Sequence, residues 1–156
     1  MYLDYAYYIA QYGGEKLDDE TFRRYIKKAS RMVDAVTFGK LKHSFPEDED
    51  DAEAVKDCIC EVAEFLRDVD AYTEFLEEMA GVTKEEDGTV RGKLLTSVTS
   101  GTESRGYSVG SLASNVAEAA KDKTKLDQET HRLIRSGLSG ILDANGVLLL
   151  YAGMGV

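Results

Sequence analysis

One proline, Pro46, stands in 156 residues, and on either side of it apolar residues recur at helical spacing. Proline lacks an amide donor and clashes with the preceding turn, so its scarcity leaves long stretches free to stay helical. Before it, Phe22, Tyr25, Ile26, Ala29, Met32, Val33 and Val36 step by three, one, three, three, one and three, which marks one face of an α-helix. Asp18 is the expected N-cap of this helix, and Asp19 and Glu20 suit the positive end of its dipole. Thr37-Phe38-Gly39 is the expected stop, and Arg23, Arg24, Lys27, Lys28 and Arg31 make the opposite face basic. After Pro46 the acids Glu47–Asp51 lead into a second stripe, Val55, Cys58, Ile59, Val62, Leu66, Val69, Tyr72, Leu76 and Met79. From Asp51 to Met79 such a helix runs about 43 Å, and Gly81 is its expected terminator.

Shorter elements flank these two. Asp4 to Tyr12 reads as a helix closed by Gly13-Gly14, with Tyr5, Tyr8 and Tyr12 on one face and Ile9 beside them. Five of the nine tyrosines fall in the first 12 residues; a ring with a polar tip suits either a core or an interface. A last helix is expected from Thr124 or Leu126, with Leu126, Leu133, Ile134, Leu138, Ile141 and Leu142 inward, a bend at Gly137 and Gly140, and a terminator at Asn145-Gly146. Between the two long helical regions, residues 82–114 are rich in glycine, serine and threonine and read as a β-hairpin or a long mobile loop around Gly101–Gly106. The fold class expected is mainly α: a small helical bundle in a single domain, 1–156, with a glycine/serine-rich loop or β-hairpin insertion at 82–114 and an extended C-terminal tail at 146–156.

Charge narrows the function. The formal net charge is −10, opposite to what phosphate contacts need, so tight nucleic-acid binding is not expected. Glu47–Asp87 holds 17 acids against Lys56, Arg67 and Lys84, leaving the remainder of the chain net positive. That division suits an acidic-to-basic contact between copies; the alternative is a solvated acidic helix face. Cys58 and Cys60 lie about 200° apart on a helix, so they neither chelate together nor pair, and buried thiols in a reducing compartment are expected. The N-terminus lacks a signal peptide's basic and apolar regions, and no stretch is long enough to span a bilayer, so the chain is expected to be made and kept in the cytoplasm.

Catalytic patterns do not emerge. His43 and His131 are isolated, no nucleophile elbow, zinc-type histidine pair or phosphate loop is present, and Glu47–Asp51 lacks a calcium loop's glycine and spacing. Neither an enzyme nor a cofactor or metal site is expected.

Several local patterns, in order, resemble the head–tail connector (adaptor) family of tailed bacteriophages. They are the tyrosine-rich opening Tyr5-Ala-Tyr-Tyr-Ile-Ala-Gln-Tyr-Gly-Gly14; Leu17-Asp-Asp-Glu-Thr-Phe22 followed by Ala29-Ser-Arg-Met-Val-Asp34 and Thr37-Phe-Gly-Lys40; Val55-Lys-Asp-Cys-Ile-Cys-Glu-Val-Ala-Glu64; Gly106-Tyr-Ser-Val109; and Leu149-Leu-Tyr-Ala-Gly153. Ala152 stands where an arginine is common in that family. The resemblance implies a virion protein of the neck, made in the host bacterial cytoplasm. It implies a homo-dodecameric ring between the portal protein and the stopper or tail-completion protein, with DNA passing through the channel without specific binding and no membrane partner.

Under that reading the uncharged tail is the expected portal-binding element: Val147, Leu148, Leu149, Leu150, Tyr151, Gly153, Met154 and Val156. Ten extended residues reach roughly 33 Å, and the same segment could instead pack on its own domain as an extra strand. The expected ring interface sets Arg23, Lys27 and Arg31 against Glu61, Glu64 and Asp68. Thr99, Gly101, Glu103, Arg105 and Tyr107 are the expected channel or stopper contacts. The competing reading is a helical protein-interaction module or small regulatory protein outside the virion.

Overall fold

The structure is a computed structural model that describes residues 1–79, 82–84, 90–92 and 111–153. It is mainly helical: α1 (Tyr5–Ala10), α2 (Asp19–Val36), a 3-10 turn (Lys40–Lys42), α3 (Glu49–Met79), β1 (Val82–Lys84), β2 (Val90–Gly92), α4 (Ser111–Lys121) and α5 (Lys123–Gly137). Packing divides the chain into two compact units, Met1–Arg67 with Asp127–Val156, and Asp68–Leu126. Both lie within the span read above as one domain.

The first unit is built on α2 and the first part of α3. The Asp18 side chain accepts from the Thr21 amide at 2.8 Å and from the Thr21 hydroxyl at 2.7 Å, as its N-cap position requires. These bonds, the amide's first, hold its carboxyl below the usual range. Asp48 opens α3 in the same way, accepting from the amides of Asp50 and Asp51. Phe22, Tyr25, Ile26, Ala29 and Val33 are buried as the α2 stripe predicts. The α3 stripe is wider than predicted, because Cys60 and Ala63 are buried alongside Val55, Cys58, Ile59, Val62 and Leu66. A second layer covers that extra face.

The covering layer is the N-terminal segment, and carboxylates hold it. Tyr2 donates to Asp34 on α2, while Tyr7 donates to Asp57 and Tyr8 to Glu64 on α3. Tyr8 is fully buried. Its hydroxyl donates to Glu64 Oε1 at 2.8 Å and accepts from the amides of Lys16 and Leu17, each at 3.1 Å. Its ring stacks with Tyr5 and Tyr12 and meets Phe22 at a tilt. Burial first, then the bond to Glu64, pushes the Tyr8 phenol up to about 12. Gly14 is required beside it: a Cβ there would stand 2.1 Å from the ring.

The C-terminal end of α5 also packs on α3. A Cβ at Gly137 would come 3.0 Å from Cys58 Sγ, so the missing side chain permits the approach. The expected bend at Gly137 is the helix end itself. Asn145-Gly146, expected to terminate a helix, is instead the turn of a small hairpin. Leu142 and Leu148 form an antiparallel bridge, Asp143 N donates to Val147 O at 2.8 Å and Leu149 N to Ile141 O at 2.9 Å. Gly146 at φ +72 supplies the left-handed position that favours Asn-Gly in such turns.

In the second unit, β1 and β2 pair antiparallel, Val82 opposite Gly92 and Lys84 opposite Val90. Helix α4 begins at Ser111, inside the stretch expected to remain loop or hairpin to Ser114. Asp122 accepts from the Thr124 amide at 2.8 Å and so caps the start of α5. The hairpin expected around Gly101–Gly106 lies outside the described residues.

Replacing Tyr8 with Phe removes a bond to a carboxylate and leaves two amides without their acceptor. It should lower the unfolding free energy by about 2–3 kcal/mol, measured by urea denaturation, whereas Tyr5→Phe should cost less, since the Tyr5 hydroxyl makes one longer bond to Leu17 O at 3.3 Å.

Candidate functional site

The C-terminal segment expected to extend from Val147 folds back onto its own unit. The Asp143 carboxylate accepts from the amides of Asn145 and Val147; these bonds, Val147's first, hold it below the usual range against the opposing effect of burial. Asp51 accepts from the Leu142 amide at 3.1 Å. From the other side Lys40 Nζ donates to Leu148 O at 2.8 Å and Tyr151 O at 2.6 Å, and lies over the Tyr151 ring.

This clamp sorts the expected portal-binding residues. Leu149 is fully buried, so it is a core residue and offers no docking surface. Val147, Leu148 and Tyr151 are exposed at 39%, 46% and 54%. Leu142, expected inward, is 41% exposed because it lies beyond the end of α5. Leu150 lines a groove of about 330 Å³ with Val36, Phe38 and Arg135. Gly153 is exposed, and Met154 and Val156 lie outside the described residues.

Phe38 was not singled out from sequence as a surface residue, yet it is 61% exposed at φ +55. The geometry explains the backbone. Phe38 N donates to Ala35 O and Gly39 N to Asp34 O, the paired bonds of a Schellman helix end. Glycine usually occupies the left-handed position of that motif, but here it follows one residue later. The signal was the order Thr37-Phe38-Gly39.

The expected ring interface separates into engaged and open groups. Arg23 pairs with Asp19 on its own helix at 2.8 Å. Glu64 takes the Tyr8 hydroxyl and lies 3.6 Å from Lys16 Nζ, so it holds the fold. Asp68 is half-buried at the start of the second unit. Lys27, Arg31 and Glu61 are exposed and form no hydrogen bond or ion pair among the described residues. Glu61 rims a hollow of about 440 Å³ with Tyr12, Ala54, Asp57, Cys58 and Gly137. Thr99, Gly101, Glu103, Arg105 and Tyr107 lie outside the described residues.

Cys58 and Cys60 are buried and free. Burial, then Glu61 for Cys58 and Asp57 for Cys60, pushes both thiols up to about 12, which leaves them poor nucleophiles at neutral pH. Among the described residues no group of three or more His, Cys, Asp or Glu is placed to hold a metal ion. No described helix is long and apolar enough to cross a membrane.

No family model, no curated protein and no solved structure matches the chain.

Two predictions follow from the helix end and the hairpin. Phe38→Gly should raise the unfolding free energy by about 1 kcal/mol, because it relieves a left-handed non-glycine residue at little loss of burial; thermal denaturation reads the gain. Asp143 has a depressed folded pKa, so its contribution is present above the unfolded carboxylate value and disappears as pH falls through the folded one. Asp143→Asn should therefore be less stable than wild type at pH 7, with the difference shrinking in acid, as urea midpoints from pH 7 to pH 2 would show.

Proposed function

We propose that this chain is a structural assembly subunit: a head–tail connector of a tailed bacteriophage, forming a ring between the portal and the stopper or tail-completion protein. The observation that carries the reading is where its apolar surface lies. Of the eight large apolar side chains exposed among the described residues, four fall within Leu142–Tyr151. They stand on a hairpin braced by Asp51, Asp143 and Lys40. A braced apolar surface suits a partner, because its shape is set before binding and less ordering entropy is lost.

The connector placement draws on the ordered motifs along the chain. The open cations Lys27 and Arg31 and the open acid Glu61 supply opposite charges for a head-to-tail contact, which needs two different faces on each copy. In this reading the portal meets Val147, Leu148 and Tyr151, while Leu149 anchors the hairpin from within.

Point substitutions test this better than truncation, since removing the tail would remove Leu149 from the core. Leu148→Asp and Tyr151→Ala should keep the native circular dichroism spectrum and lower affinity for a purified phage portal protein at least tenfold relative to wild type. Binding at wild-type strength by both folded variants would reject the portal assignment. Failure of the wild type to bind would favour an interaction module outside the virion.

A further inference from the structure

The hollow beside Tyr12 carries negative charge that the chain does not balance. Asp57 and Glu61, one turn apart on α3, line about 440 Å³ of open space with Tyr12, Ala54, Cys58 and Gly137, and no lysine or arginine joins them. Glu61 is exposed and forms no hydrogen bond or ion pair among the described residues. Asp57 uses one oxygen, Oδ1, to accept the Tyr7 hydroxyl at 2.9 Å. The Tyr12 hydroxyl has no hydrogen-bond partner among the described residues. Burial first, then Glu64, Cys60 and Glu61, pushes its phenol up. Like charges four residues apart on a helix repel, so this face lacks a cation. Ala54 and Gly137 keep the space between the charges free for a long side chain.

Helix α2 carries the opposite arrangement. Lys27 and Arg31 are exposed, four residues apart on one face, and form no hydrogen bond or ion pair among the described residues. Both charged pairs belong to the first unit. No residue of α2 lines the hollow, so the two pairs do not neutralise one another within a chain. A four-residue step holds two side chains roughly 5–6 Å apart on any helix. The cations and the acids therefore have matching separations, and both can pair in one contact.

We propose that the hollow is a socket for α2 of a second copy of this chain, with that copy's Arg31 set against Glu61 and the Tyr12 hydroxyl and its Lys27 against Asp57. The inference rests on the assembly reading and gives its charge contact a named seat. Arginine suits the Glu61 position because its planar fork can give two bonds to the carboxylate and a further one to the hydroxyl oxygen. The contact is heterologous: each copy keeps one socket and one α2 face free, so it propagates into a ring or a filament rather than stopping at a dimer.

The test is self-association of the full chain alone, without portal, by sedimentation velocity up to about 1 mM. Wild type should show mass rising with concentration. Arg31→Glu and Glu61→Ala should each weaken association at least tenfold with an unchanged circular dichroism spectrum. Glu61→Ala removes a repulsion within α3, so its loss of association is not a loss of fold. Arg31→Glu combined with Glu61→Arg in one chain should restore association. Mixing Arg31→Glu chains with Glu61→Ala chains should give pairs that grow no further, because the first variant keeps only its socket and the second only its α2 face. A wild type that stays monomeric throughout, single variants that associate like wild type, a double variant that does not recover, or a mixture without pairs would each overturn the contact. Portal binding is read separately: a monomer that binds portal removes only this contact, and a self-associating chain that ignores portal removes only the portal assignment.

Discussion

The hydroxyl of Tyr8 is the point on which the first unit depends. It gives its proton to Glu64 on α3 and takes those of the Lys16 and Leu17 amides in the segment leading to α2. One buried atom thus joins three parts of the chain that share no regular backbone pairing. The arrangement works because every polar group in it is satisfied; a buried ring with an orphaned hydroxyl would weaken the same place. Gly14 follows as a consequence, since the ring occupies the volume any side chain would need. So does the burial of Cys60, which the stripe of α3 alone would leave outside.

That dependence explains what sequence could and could not reveal. Helices α2 and α3 were legible because their caps and periods are local: Asp18 and the acids after Pro46 sit where a helix start requires them. The alternatives for the tyrosine-rich opening could not be separated locally. Whether Tyr8 faces core or partner depends on Glu64, fifty-six residues away. Helix α4 was missed because serine and glycine upstream of Ser111 outweighed the spacing of Leu112, Val116 and Ala119. Asn145-Gly146 carries the same chemistry in a helix end and in a hairpin turn, and only pairing of Leu142 with Leu148 decides between them.

The candidate surfaces were half legible for a related reason. Composition identified the uncharged C-terminal segment and the opposed charges of α2 and α3. It could not say which members of each set were already committed. Arg23 is taken by Asp19 and Glu64 by Tyr8, while Leu149 turns inward between exposed Leu148 and half-buried Leu150. Local ion pairs and core packing drew residues from lists that sequence treats as uniform. What remains open after that selection is smaller and more specific than the lists.

Phe38 shows how such a remainder differs from ordinary surface. An exposed aromatic alone is common and cheap. An exposed aromatic at a helix end where glycine would close the same hydrogen bonds without strain is neither neutral for stability nor needed for the turn. Folding by itself favours glycine at both positions, since residue 39 is left-handed as well, at φ +73. Strain kept at an exposed residue points to a role outside folding. The braced hairpin leads to the same place: Asp51, Asp143 and Lys40 fix the segment from which Leu150 enters the groove beside Phe38. Intramolecular bonds thus set the form of a surface that the unit itself leaves open, which is what the proposed assembly role requires of it.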